Sequence, residues 1–130
     1  MRGRRDDEGA AVVDFVLVSV LVLTLFLLVF QVAVTLHVRN VLVASAAEGA
    51  RYGANADRTA DEGAERAEQV VADALGQAVA RSVQCTPVAG GELDGAPVVD
   101  IRCTAALPVV YLKAGPVSLT VHGHALEEVR

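Results

Sequence analysis

The longest feature of the hydrophobic pattern is an apolar run from Phe15 to Leu36 that carries no formal charge. As a helix, this run would be roughly 33 Å long at ~1.5 Å per residue, enough to cross a hydrocarbon core of ~30 Å. Its leucines, valines and phenylalanines fall on every face, so no polar stripe is left for water. The pattern predicts a membrane-spanning helix.

After the apolar run, the helical spacing continues but becomes amphipathic. The segment 39–54 is rich in alanine and has no proline, so the first helix is expected to continue without a break. After a break at 54–58, Thr59 and Glu62 have the spacing of a capping box. A second helix is predicted from there to about Val83, with an apolar stripe made of Ala60, Ala64, Ala67, Val71, Ala74, Leu75 and Ala78.

Small residues recur near the end of the first helix, at Ala46, Gly49, Ala50 and Gly53. They would let another helix approach closely, which suits packing between subunits. The alternative is that Gly49 and Gly53 mark the point where the helix frays.

The last third of the chain changes to a period of two, which is typical of half-buried strands. One strand is predicted over 98–104 with Val99, Ile101 and Cys103 on one side, and another over 117–122 with Val117, Leu119 and Val121 inward. Turns are predicted at Gly90-Gly91, Asp94-Gly95 and Gly115-Pro116, and Pro108 makes 106–112 an edge strand or an irregular link. The expected fold is α+β: a long N-terminal transmembrane helix, a second amphipathic helix, and a small antiparallel sheet of three or four strands packed on that helix.

Composition limits the size and chemistry of the part outside the membrane. The chain has 130 residues, of which 53% are hydrophobic and 4% aromatic, with no tryptophan. This leaves room for one anchor and one small domain whose thin core must come from alanine, valine and leucine. The net charge of −5 and the scattered basic residues argue against nucleic-acid binding.

Asp14 is unusual for a plain anchor because an acid inside the apolar boundary usually has a partner. One interpretation places Asp14 in headgroup water. The other begins at Gly9, a small residue between a charged leader and the helix. Cleavage between Gly9 and Ala10 would free an ammonium on Ala10 about one helical turn from the carboxylate. Asp14 of a neighbouring subunit could pair with that ammonium.

This junction resembles the processing site of type IV prepilins, in which a short basic leader ends in glycine. In that family an acidic residue stands fifth in the mature chain and an aromatic follows it; here these positions are Gly9, Asp14 and Phe15. The family more often has glutamate, so Asp14 is a departure with a shorter side chain. The resemblance implies a prepilin peptidase as the processing enzyme.

A second motif follows the apolar run. The sequence Ala47-Glu48-Gly49-Ala50-Arg51-Tyr52-Gly53 is similar to the short signature of TadE-like proteins, pseudopilins of tight-adherence (Flp) pilus systems. Together the two motifs cover the first fifty or so residues. The resemblance implies a minor pilin-like subunit that takes part in pilus assembly, with other pilin subunits, the assembly machinery and membrane lipid as partners and no cofactor.

The predicted organisation is a leader over 1–9, a transmembrane and juxtamembrane helix over 10–54, and a head domain over 55–130. Arg2, Arg4 and Arg5 precede the apolar run, so the N-terminus is expected in the cytoplasm and the head outside.

Two alternatives have no pilus role. Ala44-Ser45-Ala46 imitates a signal-peptidase site, which would release a secreted domain starting at Ala47, although the apolar run is long for a signal peptide. A permanently anchored binding domain would keep Met1.

Cys85 and Cys103 are the only cysteines. A disulfide between them, the favoured interpretation, would close a loop of about 19 residues and stabilise the head by roughly 3 kcal/mol. The alternative is two buried free thiols.

His122 and His124 share one face of a predicted strand but have no acidic or cysteine residue close in sequence, so no metal site is predicted. No nucleophile or phosphate-binding motif is present, and no enzyme is predicted.

Overall fold

In the computed structural model, secondary structure is described for residues 4–107 and 117–128, and side chains for residues 9–106 and 118–128. The elements are α1 (Arg4–Ala54), α2 (Ala60–Leu75), α3 (Gln77–Ala80), β1 (Val83–Leu93), β2 (Ala96–Leu107) and β3 (Val117–Leu126). The strands form one antiparallel sheet in the order β1-β2-β3. The predicted α+β class, with a long N-terminal helix, a second helix and a small antiparallel sheet, is confirmed.

Contacts divide the chain into two units, Met1–Leu36 (the N-terminal unit) and His37–Arg130 (the head unit). In the N-terminal unit no side chain of residues 9–36 is buried. The head unit contains the remainder of α1 together with the other described elements. The first helix therefore continues past the apolar run without a break, as its sequence predicts.

The core of the head unit is thin and aliphatic, as its composition predicts. Among the fully buried side chains of the described residues, only Leu42 and Ile101 are larger than valine. The core residues are Val38, Leu42, Ala46, Ala50 and Ala54 on α1, Ala64, Ala67 and Val71 on α2, and Val83, Cys85, Val99, Ile101, Cys103, Ala105 and Val121 on the sheet.

Helix α2 begins with the predicted capping box. The Glu62 N–H donates to Thr59 Oγ1 at 3.2 Å, and the Thr59 N–H donates to Glu62 Oε2 at 2.8 Å. The prediction that this helix continues to about Val83 is wrong. Gly76 adopts a φ of 84°, which is outside the right-handed helical region, and ends α2 at Leu75.

The early end of α2 changes which residues its inward face contains. Gly63, Ala64, Ala67 and Val71 are buried, whereas Ala74 and Ala78 of the predicted stripe are exposed. The helix packs against β1 and β2, as expected for the second helix.

Strand β1 is not anticipated by the sequence pattern. Val83 and Cys85 are buried and alternate with exposed Gln84 and Thr86, which is the period of a half-buried strand. β1 lies at one edge of the described sheet, and an edge strand tolerates Pro87 because one side of its backbone needs no ladder partner.

The β1–β2 hairpin turns at Asp94-Gly95, as predicted. Both residues have positive φ, 52° and 80°, and Leu93 pairs with Ala96 on either side of them. Two central residues of positive φ are typical of the tight I′ turn. Gly90-Gly91, by contrast, is not a turn: it lies inside β1, where the register shifts between Val88 and Gly91 as in a β-bulge.

The inward residues of β2 are confirmed, since Val99, Ile101 and Cys103 are all buried. The strand is longer than predicted and includes Ala106 and Leu107, so these two residues end the central strand of the sheet instead of forming an edge strand. The rest of the predicted segment 106–112 and the Gly115-Pro116 turn lie outside the described residues. On β3, Val121 is buried and Leu119 half-buried, and the side chain of Val117 is outside the described set.

Candidate membrane anchor and assembly site

The predicted cleavage junction lies in the N-terminal unit on α1. Gly9 and Ala10 are both exposed. A β-carbon placed at Gly9 would have no atom within 4 Å, apart from the chain neighbours and the helix backbone. No described residue covers the peptide bond between them, although the bond is part of a helix.

Asp14 follows the junction by about one helical turn and is exposed. Within residues 9–106 and 118–128 its carboxylate makes no hydrogen bond or ion pair. Phe15, the next residue, is 72% exposed. The acid and the aromatic ring are therefore both available to another molecule.

The apolar run has the length and exposure of a membrane helix. The stretch Gly9–Ala54 is the one helix among the described residues long and apolar enough to cross a membrane, with a mean hydropathy of 2.9 over its best window. Its large apolar side chains from Val12 to Leu36 are 37–72% exposed. Exposing so much apolar surface to water is unfavourable, so the helix is consistent with a membrane anchor.

The second motif, Glu48 to Tyr52, lies in the head unit and has two kinds of residue. Gly49 and Ala50 are buried, Glu48 and Tyr52 half-buried, and Arg51 exposed. A β-carbon at Gly49 would collide with the carbonyl oxygen of Gly63 on α2. The glycine of the motif thus allows the two helix backbones to approach closely.

This contact corrects the expectation that the small residues of α1 pack against another subunit. Ala46 and Ala50 have no exposed surface. The element that approaches them belongs to the same chain: α2 lies near Gly49 and Gly53, and β3 lies near Ala46. The alternative, fraying at Gly49 and Gly53, is also wrong because α1 ends at Ala54.

Tyr52 has a cationic neighbour beyond the end of α1. The guanidinium carbon of Arg58 lies 4.9 Å from the centre of the Tyr52 ring. Arg58 also approaches Glu62 of the capping box, with Nη1 to Oε1 at 3.6 Å. Tyr52 of the motif is thereby linked to the start of α2 through a cation–π contact and an exposed ion pair.

The favoured disulfide is present between Cys85 on β1 and Cys103 on β2. The two residues face one another directly across the strand pair, with Cα atoms 4.1 Å apart. The backbone N–H of Cys85 donates to Glu68 Oε1 of α2 at 2.9 Å. The Glu68 carboxylate therefore accepts a hydrogen bond from a backbone N–H of an edge strand.

His122 and His124 have an acidic partner that is far from them in the sequence. Asp100 on β2 lies 3.2 Å from His122 Nδ1 and 3.5 Å from His124 Nδ1, measured to Oδ1. Asp100 is distant from both histidines in sequence, and strand pairing places it opposite His124. Within the described residues, no group of three or more histidine, cysteine, aspartate or glutamate side chains has a metal-binding arrangement.

The described surface grooves do not resemble a catalytic centre. One open groove between α2 and α3 is lined by Glu65, Glu68, Gln69 and Arg81 among others, and another lies beside Tyr52 and Glu62. Neither joins a nucleophile to a base. The chemistry that these residues support is packing, ion pairing and display of an apolar helix.

Sequence reasoning missed three residues that shape the head. Gly63 and Gly123 lie where α1 backbone atoms come too close for a β-carbon, and Glu68 binds the edge of β1. A glycine inside an otherwise amphipathic helix was the available signal for Gly63. No local pattern marks Gly123 or Glu68, since both roles depend on residues distant in sequence.

The exposed apolar helix and the small α+β head together define a class of protein. Its members have a small head domain preceded by a helix of membrane-spanning length. A model of the family described as TadE-like protein matches residues 9–51. This match confirms the resemblance over the segment that contains the junction, the apolar run and most of the second motif. The TadE-like family comprises pilin-type structural components. No curated protein and no solved structure matches the chain.

Proposed function

We propose that this chain is a minor pilin-like subunit, or pseudopilin, that takes part in assembly of a tight-adherence (Flp) type IV pilus. The observation that carries the proposal is the family match over residues 9–51, which begins at the residue where cleavage is predicted. The one apolar helix of membrane-spanning length among the described residues supports the same function.

In this proposal, residues 1–9 form a leader that a prepilin peptidase removes after Gly9. Residues 10–54 then form the transmembrane and juxtamembrane helix, and residues 55–130 form the rest of the head. The leader arginines favour an N-terminus in the cytoplasm and a head outside, where a disulfide such as Cys85–Cys103 is stable.

Assembly in this proposal combines apolar helix packing with one ion pair. Cleavage frees the ammonium of Ala10, which forms an ion pair with the Asp14 carboxylate of a neighbouring subunit. The exposure of Asp14 and Phe15 supports this role. Partners are the peptidase, other pilin or pseudopilin subunits with the assembly machinery, and membrane lipid.

The secreted alternative is disfavoured by the head core. Release at Ala47 would remove Val38, Leu42 and Ala46, all of which are buried against the rest of the head unit. Loss of several buried aliphatic side chains lowers the free energy of unfolding by several kcal/mol, and a small domain is too marginally stable to tolerate that loss.

The mature N-terminus tests the proposal. We expect mass spectrometry of the full chain, expressed with a prepilin peptidase, to show Ala10 as the first residue. Gly9→Leu should leave the leader attached, because in this proposal the small residue at the junction is what the peptidase requires, whereas Gly3→Leu, the same change within the leader, should be processed normally. A mature chain that starts at Met1 or Ala47 would refute the proposal.

The role of Asp14 is tested by the same preparation. Asp14→Ala should leave membrane insertion and cleavage unchanged but weaken pilus assembly, since the Ala10 ammonium loses its partner. Asp14→Glu keeps the carboxylate and should assemble. Normal pilus assembly by Asp14→Ala would contradict the ion-pair role.

A further inference from the structure

Gln31 differs from the other polar residues on its face of the apolar run because its side-chain amide has no partner among the described residues. Thr24 Oγ1 donates to the Val20 carbonyl at 2.8 Å, and Thr35 Oγ1 donates to the Gln31 carbonyl at 2.9 Å. The side-chain amide of Gln31 has two N–H donors and a carbonyl acceptor. Within residues 9–106 and 118–128 it forms no hydrogen bond.

The amide lies too deep in the apolar run to reach water easily. Arg39, the first charged residue after the run, is about eight residues further, or ~12 Å along a helix. Helical side chains lean toward the N-terminus of their helix, so that of Gln31 leans away from the nearer boundary. Hydrocarbon offers no hydrogen-bonding group, and an unsatisfied amide there is costly.

Gln31 is also flanked by residues suited to a helix–helix contact. Thr24, Leu28, Gln31 and Thr35 are separated by four, three and four residues and fall within an arc of about 60° at ~100° per residue. This spacing is typical of the seam between two helices, and small polar residues such as threonine are common at membrane seams. Leu28 on this seam is 57% exposed.

A second copy of this chain matches these requirements. Two copies inserted in the same orientation hold Gln31 at the same depth, and an amide that both donates and accepts is complementary to itself. Any other helix would need its own polar group at that depth. We infer that α1 carries a self-association seam within the membrane, in which the Gln31 amides of two copies exchange hydrogen bonds.

This inference rests on the membrane insertion that the proposed function includes, but not on leader cleavage or pilus assembly. Its test is energy transfer between full-length chains that carry donor or acceptor dyes at the C-terminus, in phosphatidylcholine vesicles over a range of lipid-to-protein ratios. We expect transfer above that of randomly distributed helices. Gln31→Leu should weaken self-association roughly three- to tenfold, the range for one hydrogen bond between membrane helices.

Two variants separate the amide from general effects of substitution. Gln31→Asn keeps the amide and should retain association. Ser19→Ala removes a hydroxyl about 120° around the helix from Gln31 and should change nothing. Equal transfer for the wild type and Gln31→Leu would overturn the inference, as would equal loss in Gln31→Leu and Gln31→Asn.

Alkaline carbonate extraction of the same vesicles separates this inference from the proposed function. A chain that is released into the supernatant is not membrane-inserted, which contradicts the proposed function as well. A chain that stays in the membrane but shows only random transfer overturns the Gln31 seam alone, and Gln31 then has a different partner.

Discussion

Gly49 on α1 and Gly63 on α2 face one another where these two helices of the head unit pack closely. A β-carbon at Gly63 would collide with the Gly49 carbonyl oxygen and lie 3.1 Å from Gly53 Cα. Backbone atoms of packed helices cannot rotate out of the way as side chains can. The glycine of the TadE-like motif therefore has a structural reason: it allows this contact inside one chain.

Gly63→Ala should destabilise the head by about 1–3 kcal/mol through overpacking, even though alanine favours a helix by ~1 kcal/mol over glycine. The measurement is thermal unfolding of the full chain in detergent micelles, followed by circular dichroism. Glu65→Ala, on the exposed side of the same helix, should stay within about 0.5 kcal/mol of the wild type. An increase in stability for Gly63→Ala would contradict the close packing.

The small-residue pattern of α1 predicts that something approaches closely, but it does not identify the approaching element. Gly49 and Ala50 have the same sequence signature whether the neighbour is α2 or a second subunit. The answer depends on the path of the chain after Ala54, where the capping box starts a helix that returns to α1.

Local signals are accurate at the scale of single elements where they are chemically specific. The Thr59–Glu62 capping box and the Asp94-Gly95 turn both appear where predicted, because each depends on a few adjacent residues. The end of α2 is less predictable, since the helical spacing continues past Gly76 through Ala78. The sequence pattern does not predict strand β1, because Pro87 and the Gly90-Gly91 bulge interrupt its alternation of apolar and polar residues.

Removing the Thr59 side-chain oxygen should destabilise α2 at its start. Thr59→Ala loses the acceptor for the Glu62 N–H, and such N-cap losses cost about 1 kcal/mol. Thr59→Ser keeps the hydroxyl and should be close to the wild type in the same unfolding measurement. If serine and alanine destabilise the head equally, the hydroxyl is not the stabilising group.

For the molecule as a whole, the sequence predicts the fold class and the anchor better than the internal contacts. The apolar run, the amphipathic α2 and the alternation of β2 are all read directly from residue order. The Asp100–His122 contact and the packing of Gly123 against Ala46 are not, because each joins residues from different elements. The candidate site follows the same division: its motif residues are adjacent in the sequence, whereas the contact of Gly49 with Gly63 joins two different helices.

The small core makes the disulfide important for the stability of the entire head. Cys85 and Cys103 are separated by 18 positions, and a loop of this length corresponds to roughly 3 kcal/mol in the chain-entropy model. Reduction with dithiothreitol should therefore lower the unfolding temperature of the full chain in micelles. The double variant Cys85→Ala, Cys103→Ala should unfold at a lower temperature with or without reductant; a wild type insensitive to reduction would contradict this role.

The hydrogen bond from the Cys85 backbone to Glu68 has a consequence for crowding at the membrane surface. An uncovered edge strand can pair with a strand of a neighbouring molecule, and heads held in one plane by their anchors would meet often. Glu68 occupies the Cys85 donor on β1 and places a carboxylate beside that edge. For heads anchored side by side, this one acidic side chain would discourage β-pairing between neighbours at this position.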